Sequence, residues 1–173
     1  MKKIIIAAAA IAFATTLQAA QCLWGLEKDS AKTYANLTAY AINGSDFATV
    51  VALLTTGGES VATDFNSYVI NSAALNSRGG GGNTAEGMTG TTLAWFIFAG
   101  DSIADGSTYD TTGALDVSAY TFNPPQSSPG EFTFTVDSFT TKGAPIGNVI
   151  PEPTSGLLVL IGIAGLALKR KRA

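Results

Sequence analysis

The sequence predicts a mainly β protein, a small antiparallel β-sandwich with one short helix, from its alternation of apolar and polar residues. The clearest example is Glu131–Thr140, where Phe132 and Phe134 alternate with polar residues, as in a strand that buries one face. Thr33–Ile42 also predicts a strand, with one face formed by Tyr34, Tyr40 and Ile42 and the other by Ala35, Leu37, Ala39 and Ala41. Because Leu93–Ala99 is apolar at every position, it predicts a central strand that is covered on both faces.

The remaining elements are predicted from similar patterns. Phe47–Thr55 is nearly all apolar and predicts a second central strand, and Ser118–Phe122 predicts a further strand. After Ser60, apolar residues recur at helical spacing as far as Leu75, which predicts the short helix with Ser60 as its N-cap. A strand at Tyr68–Ile70 is the alternative for part of this segment. The proline-rich segment Pro124–Gly130 predicts a loop.

Composition excludes several classes of chemistry. The chain has 173 residues, which suits one domain, with no histidine and a single cysteine. These counts exclude imidazole bases, histidine-based metal sites and an intrachain disulfide framework. Between residues 21 and 150 there are four basic and twelve acidic residues, a net charge of −8. Because this charge repels phosphate backbones, nucleic acid is not an expected partner. No motif for a cofactor is present, so none is expected.

Residues 1–20 have the features of a secretory signal peptide, which predicts an N-terminal signal helix. Lys2 and Lys3 precede an apolar run over 4–13, and small residues follow, so cleavage is expected after Ala19 or Ala20. The expected partners are therefore the Sec translocon and signal peptidase. The alternative, an N-terminal membrane anchor, is disfavoured because the run is shorter than the roughly 20 residues that span a bilayer.

Cys22 lies close to the expected mature N-terminus. A lipoprotein would need a small residue immediately before this cysteine, but Gln21 stands there. Cys22 is therefore expected to be a small, partly buried residue, and pairing between chains stays open as an alternative.

The C-terminus carries three features in a fixed order. Pro151, Glu152 and Pro153 are followed by an apolar stretch over 156–168 and then by a basic end formed by Lys169, Arg170, Lys171 and Arg172. Thirteen residues form a helix of roughly 20 Å, which is short for a hydrocarbon core of about 30 Å. A short C-terminal transmembrane helix is predicted, with its basic end in the cytoplasm. The two ends together predict that residues 21–150 are exported.

This tail resembles the PEP-CTERM sorting signal of bacterial proteins, in the Pro-Glu-Pro motif, the short helix and the basic end, over residues 151–173. The resemblance implies recognition by an exosortase, a membrane-embedded processing enzyme, and transient tethering to the inner membrane. Release to the cell surface or extracellular matrix would follow, and such cargo is more often structural than enzymatic. An ordinary short tail anchor is the alternative.

The predicted organisation is a signal peptide over 1–20, an exported β domain over 21–141, a linker over 142–150 and the sorting tail over 151–173. The leading hypothesis is an exported, non-catalytic surface or matrix protein. The alternatives are a carbohydrate- or Ca²⁺-dependent binding module that uses the acidic Asp101–Asp116 loop, with extracellular polysaccharide as a partner, and a carboxylate-based hydrolase. Tyr109 and Tyr120 are the expected exposed rings for sugar stacking. Trp95 is expected in the core and Trp24 at the sheet edge.

Overall fold

Three stacked layers, two β-sheets and a pair of helices, make up the fold in a computed structural model that describes residues 19–147. The chain begins with strands β1 and β2, continues through helices α1 and α2, and ends with strands β3 to β9. In chain order the elements are β1 (Ala20–Leu26), β2 (Thr38–Asn43), α1 (Phe47–Thr56), α2 (Val61–Asn66), β3 (Val69–Ala74), β4 (Gly81–Met88), β5 (Thr92–Phe98), β6 (Thr108–Asp116), β7 (Thr121–Phe122), β8 (Glu131–Phe134) and β9 (Thr141–Pro145).

The predicted mainly β architecture with two sheets is confirmed. One sheet has the order β3-β2-β5-β6-β9, and every neighbouring pair in it is antiparallel. The other has the order β4-β1-β7, with β8 beside the second half of β1. Strand β8 runs parallel to β1, which departs from a purely antiparallel arrangement. It can do so because the long excursion of the chain between β1 and β8 supplies the crossover that parallel strands require.

The first core lies between the two sheets and is built on aromatic rings. Trp24 of β1 and Trp95 of β5 are both completely buried, and their ring centroids are 5.7 Å apart. Phe134 of β8 packs 4.5 Å from Trp95, and Phe132 stacks on the same indole. Trp95 is in the core as predicted. The expectation that Trp24 lies at a sheet edge is wrong, because β1 is flanked on both sides by other strands.

A second core lies between the outer face of the five-stranded sheet and the helices. Phe96 and Phe98 of β5 point to this side, and Phe65 of α2 meets both rings edge-on at 5.7 and 4.9 Å. Val50 and Leu54 of α1 are fully buried against the same face. Strand β5 is therefore covered on both faces, which confirms the prediction for Leu93–Ala99.

The prediction of a strand over Phe47–Thr55 is wrong, because this segment forms helix α1. Its buried residues Val50 and Leu54 are four apart, which places them on one helical face. A run that is apolar at nearly every position fits both periods, so the pattern alone could not separate helix from strand. Gly57 ends the helix at φ 67° and ψ −155°, a conformation that only glycine adopts readily.

The helix predicted after Ser60 is shorter than expected. Helix α2 covers only residues 61–66, and the chain then turns into β3. The Ser60 hydroxyl makes no capping bond to the backbone and instead donates to the Asp64 carboxylate at 2.7 Å. Three other predicted strands are also present only in part. Strand β8 covers the start of Glu131–Thr140, β2 overlaps the second half of Thr33–Ile42, and β7 covers the end of Ser118–Phe122.

The expected linker over 142–150 begins too early. Residues 141–145 form β9, which pairs with β6, and Ile146 is completely buried in the second core. The described domain therefore extends to Gly147, six residues beyond the predicted boundary. The apolar-polar pattern is weak here because β9 is an edge strand with three exposed residues at its start, and the buried Ile146 comes only after the strand.

Residues 1–18 of the predicted signal peptide lie outside the described residues, as does the predicted tail with Pro151, Glu152, Pro153 and the basic residues 169–172. No helix between residues 19 and 147 combines the length and apolar character that crossing a bilayer requires. Ala19 is exposed, and Ala20 is the first residue of β1.

The Cys22 thiol is expected to be unreactive in the folded protein. Its side chain faces the first core with no exposed surface, and burial raises the pKa of the thiol to about 11. Iodoacetamide at pH 8 should label Cys22 only as fast as the domain unfolds, and rapidly in denaturant. Rapid labelling of the folded protein would show that β1 is not held in the sheet. Such burial also disfavours pairing of Cys22 between chains.

Candidate functional site

The acidic residues of the predicted binding loop are held apart in the structure. Asp110 accepts a hydrogen bond from the Tyr34 hydroxyl at 2.7 Å and another from the Gly143 amide at 2.6 Å. Asp116 accepts from the Ser118 amide at 2.8 Å, where it caps the turn after β6. Among the described side chains, which do not include that of Asp101, no three acidic or cysteine residues come together as metal ligands would.

The aromatic residues expected to stack on sugars are not both available. Tyr109 is only 4% exposed and packs against Phe96 and Phe98 in the second core, so the expectation that it is exposed is wrong. Tyr120 is half-buried and meets Phe132 edge-on at 5.4 Å. The alternation of residues along β6 does not reveal that a second core lies on the outer face of its sheet. Tyr109 was therefore expected at the surface.

A groove of about 560 Å³ lies beside the end of β1, the start of β4 and the strand β8. Its described lining includes Glu27, Lys28, Asn76 and Glu131, but no aromatic side chain. The Glu131 carboxylate lies directly over Gly25, and the stem of Lys28 lies over the glycine-rich start of β4. Without a ring to stack on a sugar, this groove does not support the carbohydrate alternative.

The best-defined polar arrangement holds the end of the domain. Gly57 and Gly58, which follow α1, meet Asp105 and Gly147, and we call these four residues the exit clamp. An Asp105 carboxylate oxygen accepts a hydrogen bond from the Gly58 amide at 2.8 Å, and the Gly147 amide donates to the Leu54 carbonyl at 2.7 Å. A Cβ atom at Gly57 would lie 2.5 Å from the Gly147 Cα and would also overlap the Asp105 carboxylate. The backbones can approach this closely only because both residues are glycine.

Sequence reasoning missed the exit clamp. In the sequence, Asp105 lies in the acidic Asp101–Asp116 loop and Gly147 lies in the predicted linker over 142–150, and nothing connects the two. The paired glycines Gly57 and Gly58 after an apolar run were a usable signal, because glycine commonly ends a helix. That signal depends on identifying the run as a helix, which the pattern did not allow.

The two ends of the described chain lie beside opposite ends of β5. At the N-terminus, Ala20 pairs with Met88. The amide of the next residue, Thr89, donates a hydrogen bond to the Asn43 side chain, and Asn43 pairs with Leu93 near the start of β5. At the other terminus, Gly147 follows strand β9, whose last residue pairs with the first residue of β6, beside the end of β5. Only three residues separate Gly147 from Pro151. The predicted sorting motif therefore starts almost directly after the fixed end of the domain.

The loop between β1 and β2 is stabilised by an exposed carboxylate, and this predicts a pH dependence. Asp29 accepts hydrogen bonds from the Thr33 hydroxyl at 2.5 Å and the Ala31 amide at 3.0 Å, which lower the pKa of this carboxyl. A lowered pKa in the folded state stabilises the protein above the unfolded value of about 3.9, and the contribution disappears as the pH falls through the folded value.

We therefore expect Asp29→Asn to lower the melting temperature at pH 7, and we expect the difference from the wild type to shrink as the pH falls below about 3.9 and to vanish below the folded pKa of Asp29. Thermal unfolding of both proteins from pH 7 to pH 2.5 measures this. Thr33→Val supplies the control, because without the hydroxyl donor the effect of Asp29→Asn should shrink. A difference that is constant with pH would show that the carboxylate charge is not involved.

Comparison of the chain with protein-family models, with curated proteins and with solved structures gives no match. We therefore infer the function from the residues of this chain.

Proposed function

We propose that the chain is an exported, non-catalytic protein of the bacterial cell surface or extracellular matrix, sorted by a C-terminal PEP-CTERM signal. The observation that carries this proposal is the order of Pro151–Pro153, the apolar stretch and the basic residues 169–172 at the end of the chain. The Sec translocon and signal peptidase would act at the N-terminus. An exosortase would act near the Pro-Glu-Pro motif, and the inner membrane would hold the protein only until then.

The position of the domain ends supports this order of events. Strand β1 begins at Ala20, so cleavage after Ala19 would leave the strand intact, and cleavage after Ala20 would remove only its first residue. At the other end, the domain is fixed up to Gly147, so cleavage near Pro151 would remove no described element. A domain that keeps its whole core after both cleavages can stay folded after it is released from the membrane.

Four of the acidic residues are engaged as hydrogen-bond acceptors within the fold, which supports a non-catalytic role for those four. Asp29 and Asp116 stabilise turns, Asp105 belongs to the exit clamp, and Asp110 joins the loop before β2 to β9. A carboxylate-based hydrolase needs two acids that face one another across a cleft. These four carboxylates are instead used as hydrogen-bond acceptors within the fold.

Glu152→Ala tests the sorting proposal in the native cells. The charged group between two prolines is the expected recognition element, so the variant should accumulate in the membrane with its tail intact while the surface form decreases. Glu131→Ala, which removes an exposed glutamate of the domain, is the matched control and should be released like the wild type. Equal release of Glu152→Ala and the wild type would contradict the proposal.

A further inference from the structure

The outer side of helix α1 borders an apolar groove. All ten residues of α1 are uncharged. Between this helix and α2 lies a groove of about 450 Å³, lined by Ala52, Leu53 and Thr56 of α1, by Asp64 of α2 and by Tyr68 beyond it. We call it the helix groove. Leu53 and Tyr68 are half-buried there, so apolar surface stays open to water on this side of the domain.

The described chain ends beside this groove. The Gly147 amide donates to the Leu54 carbonyl, so Gly147 caps the C-terminal end of α1. Leu54 directly follows Leu53 and comes two residues before Thr56, and both of these line the groove. The chain therefore leaves the domain at the end of the helix whose outer side forms one wall.

The next residues have the length and the character to fill the groove. Asn148, Val149 and Ile150 follow Gly147 and lie outside the described residues. An extended residue spans at most about 3.6 Å, so Ile150 can reach about 11 Å from Gly147, or roughly two turns along α1. Val149 and Ile150 are uncharged and branched, as an apolar groove requires.

We infer that Val149 and Ile150 occupy the helix groove and cover Leu53 and Tyr68. A tethered segment pays no translational entropy of association and has an effective concentration of the order of millimolar, which a free partner would have to match. The inference does not depend on the proposed sorting. If the tail is processed, the seated segment places the Pro-Glu-Pro motif directly at the surface of the domain.

An anionic lipid surface is a weaker candidate for the same groove. Asp64 contributes a negative charge to the lining, Glu59 lies in the turn before α2, and the exported segment as a whole has a net charge of −8. These charges repel anionic headgroups. A second copy of the chain would bring the same charges and would also lack the advantage of the tether.

Disulfide trapping in the full chain tests the inference. Thr56 lines the helix groove and Thr55 does not, although both are exposed and both hydroxyls donate to the carbonyl four residues before them. We expect the pair Thr56→Cys and Ile150→Cys to form an intramolecular disulfide about tenfold faster than the pair Thr55→Cys and Ile150→Cys. Peptide mass spectrometry after mild oxidation measures both rates, and the buried Cys22 should stay unmodified.

Each possible outcome points to a different occupant of the helix groove or to none. Preferential trapping at Thr56 supports the inference, provided that both variants melt near the wild-type temperature. Equal trapping at the two positions would show a freely moving segment, and disulfides only between molecules would show a second copy, so either result overturns it. Binding of the full chain to phosphatidylglycerol vesicles that Leu53→Asp abolishes, without preferential trapping, would assign the groove to lipid and also overturn it.

Discussion

Replacing Trp24 with alanine is expected to lower the free energy of unfolding by about 3–5 kcal/mol, because the large cavity left between the sheets cannot close. The indole is completely buried and packs against Trp95 and Phe134. Its Nε1 has no hydrogen-bond partner among the described residues, so Trp24→Phe should lose packing but no hydrogen bond and should cost less than alanine. Urea unfolding followed by circular dichroism measures each change.

Phe122 provides the matched control for Trp24. It lies in the same sheet on β7, where it is only half-buried, so Phe122→Ala should cost about 1–1.5 kcal/mol. A loss for Trp24→Ala that is no larger than the loss for Phe122→Ala would contradict a core built between the two sheets.

Substitution of Gly57 by alanine should produce the second large loss, about 3 kcal/mol or more. The backbone at φ 67° and ψ −155° costs an L-residue about 1–3 kcal/mol. The new methyl group would also overlap Asp105 and Gly147, and overpacking of this kind adds about 1–3 kcal/mol.

Gly87 separates these two contributions. It also has a positive φ, 74°, but a Cβ atom there would meet nothing within 4 Å. Gly87→Ala should therefore cost only the conformational strain, about 1–2 kcal/mol. Comparable losses for Gly57→Ala and Gly87→Ala, measured by urea unfolding, would show that the exit clamp does not hold the end of the domain closely.

The mainly β class was predictable because alternation in the sequence reports directly on one-sided burial. The double coverage of β5 was predictable for the same reason, since a strand that is apolar on both faces needs a layer on each side. Segment 47–55 was not predictable as a helix, because a run with so few polar residues shows no clear period. As a helix, this segment contributes Val50 and Leu54 to the second core, which also contains the buried Tyr109.

The exit clamp could not be predicted because its members are far apart in sequence. Gly58 and Asp105 are bonded across 47 positions, and the sequence contains nothing that pairs them. The acidic loop led to a metal-site hypothesis because carboxylates that are close in sequence look like a cluster. In the fold they point to different neighbours, Asp105 to Gly58 and Asp110 to Tyr34. Burial and the Asp110 carboxylate raise the pKa of Tyr34, which keeps its hydroxyl protonated as the donor.

Mass spectrometry of the intact protein from membrane and surface fractions of its native cells tests the central proposal most directly. We expect a surface form that begins at Ala20 or Gln21, ends near Pro151–Pro153 and retains residues 21–147. A protein found only in the membrane fraction, with Lys169–Arg172 still attached, would contradict it and would identify the tail as an anchor.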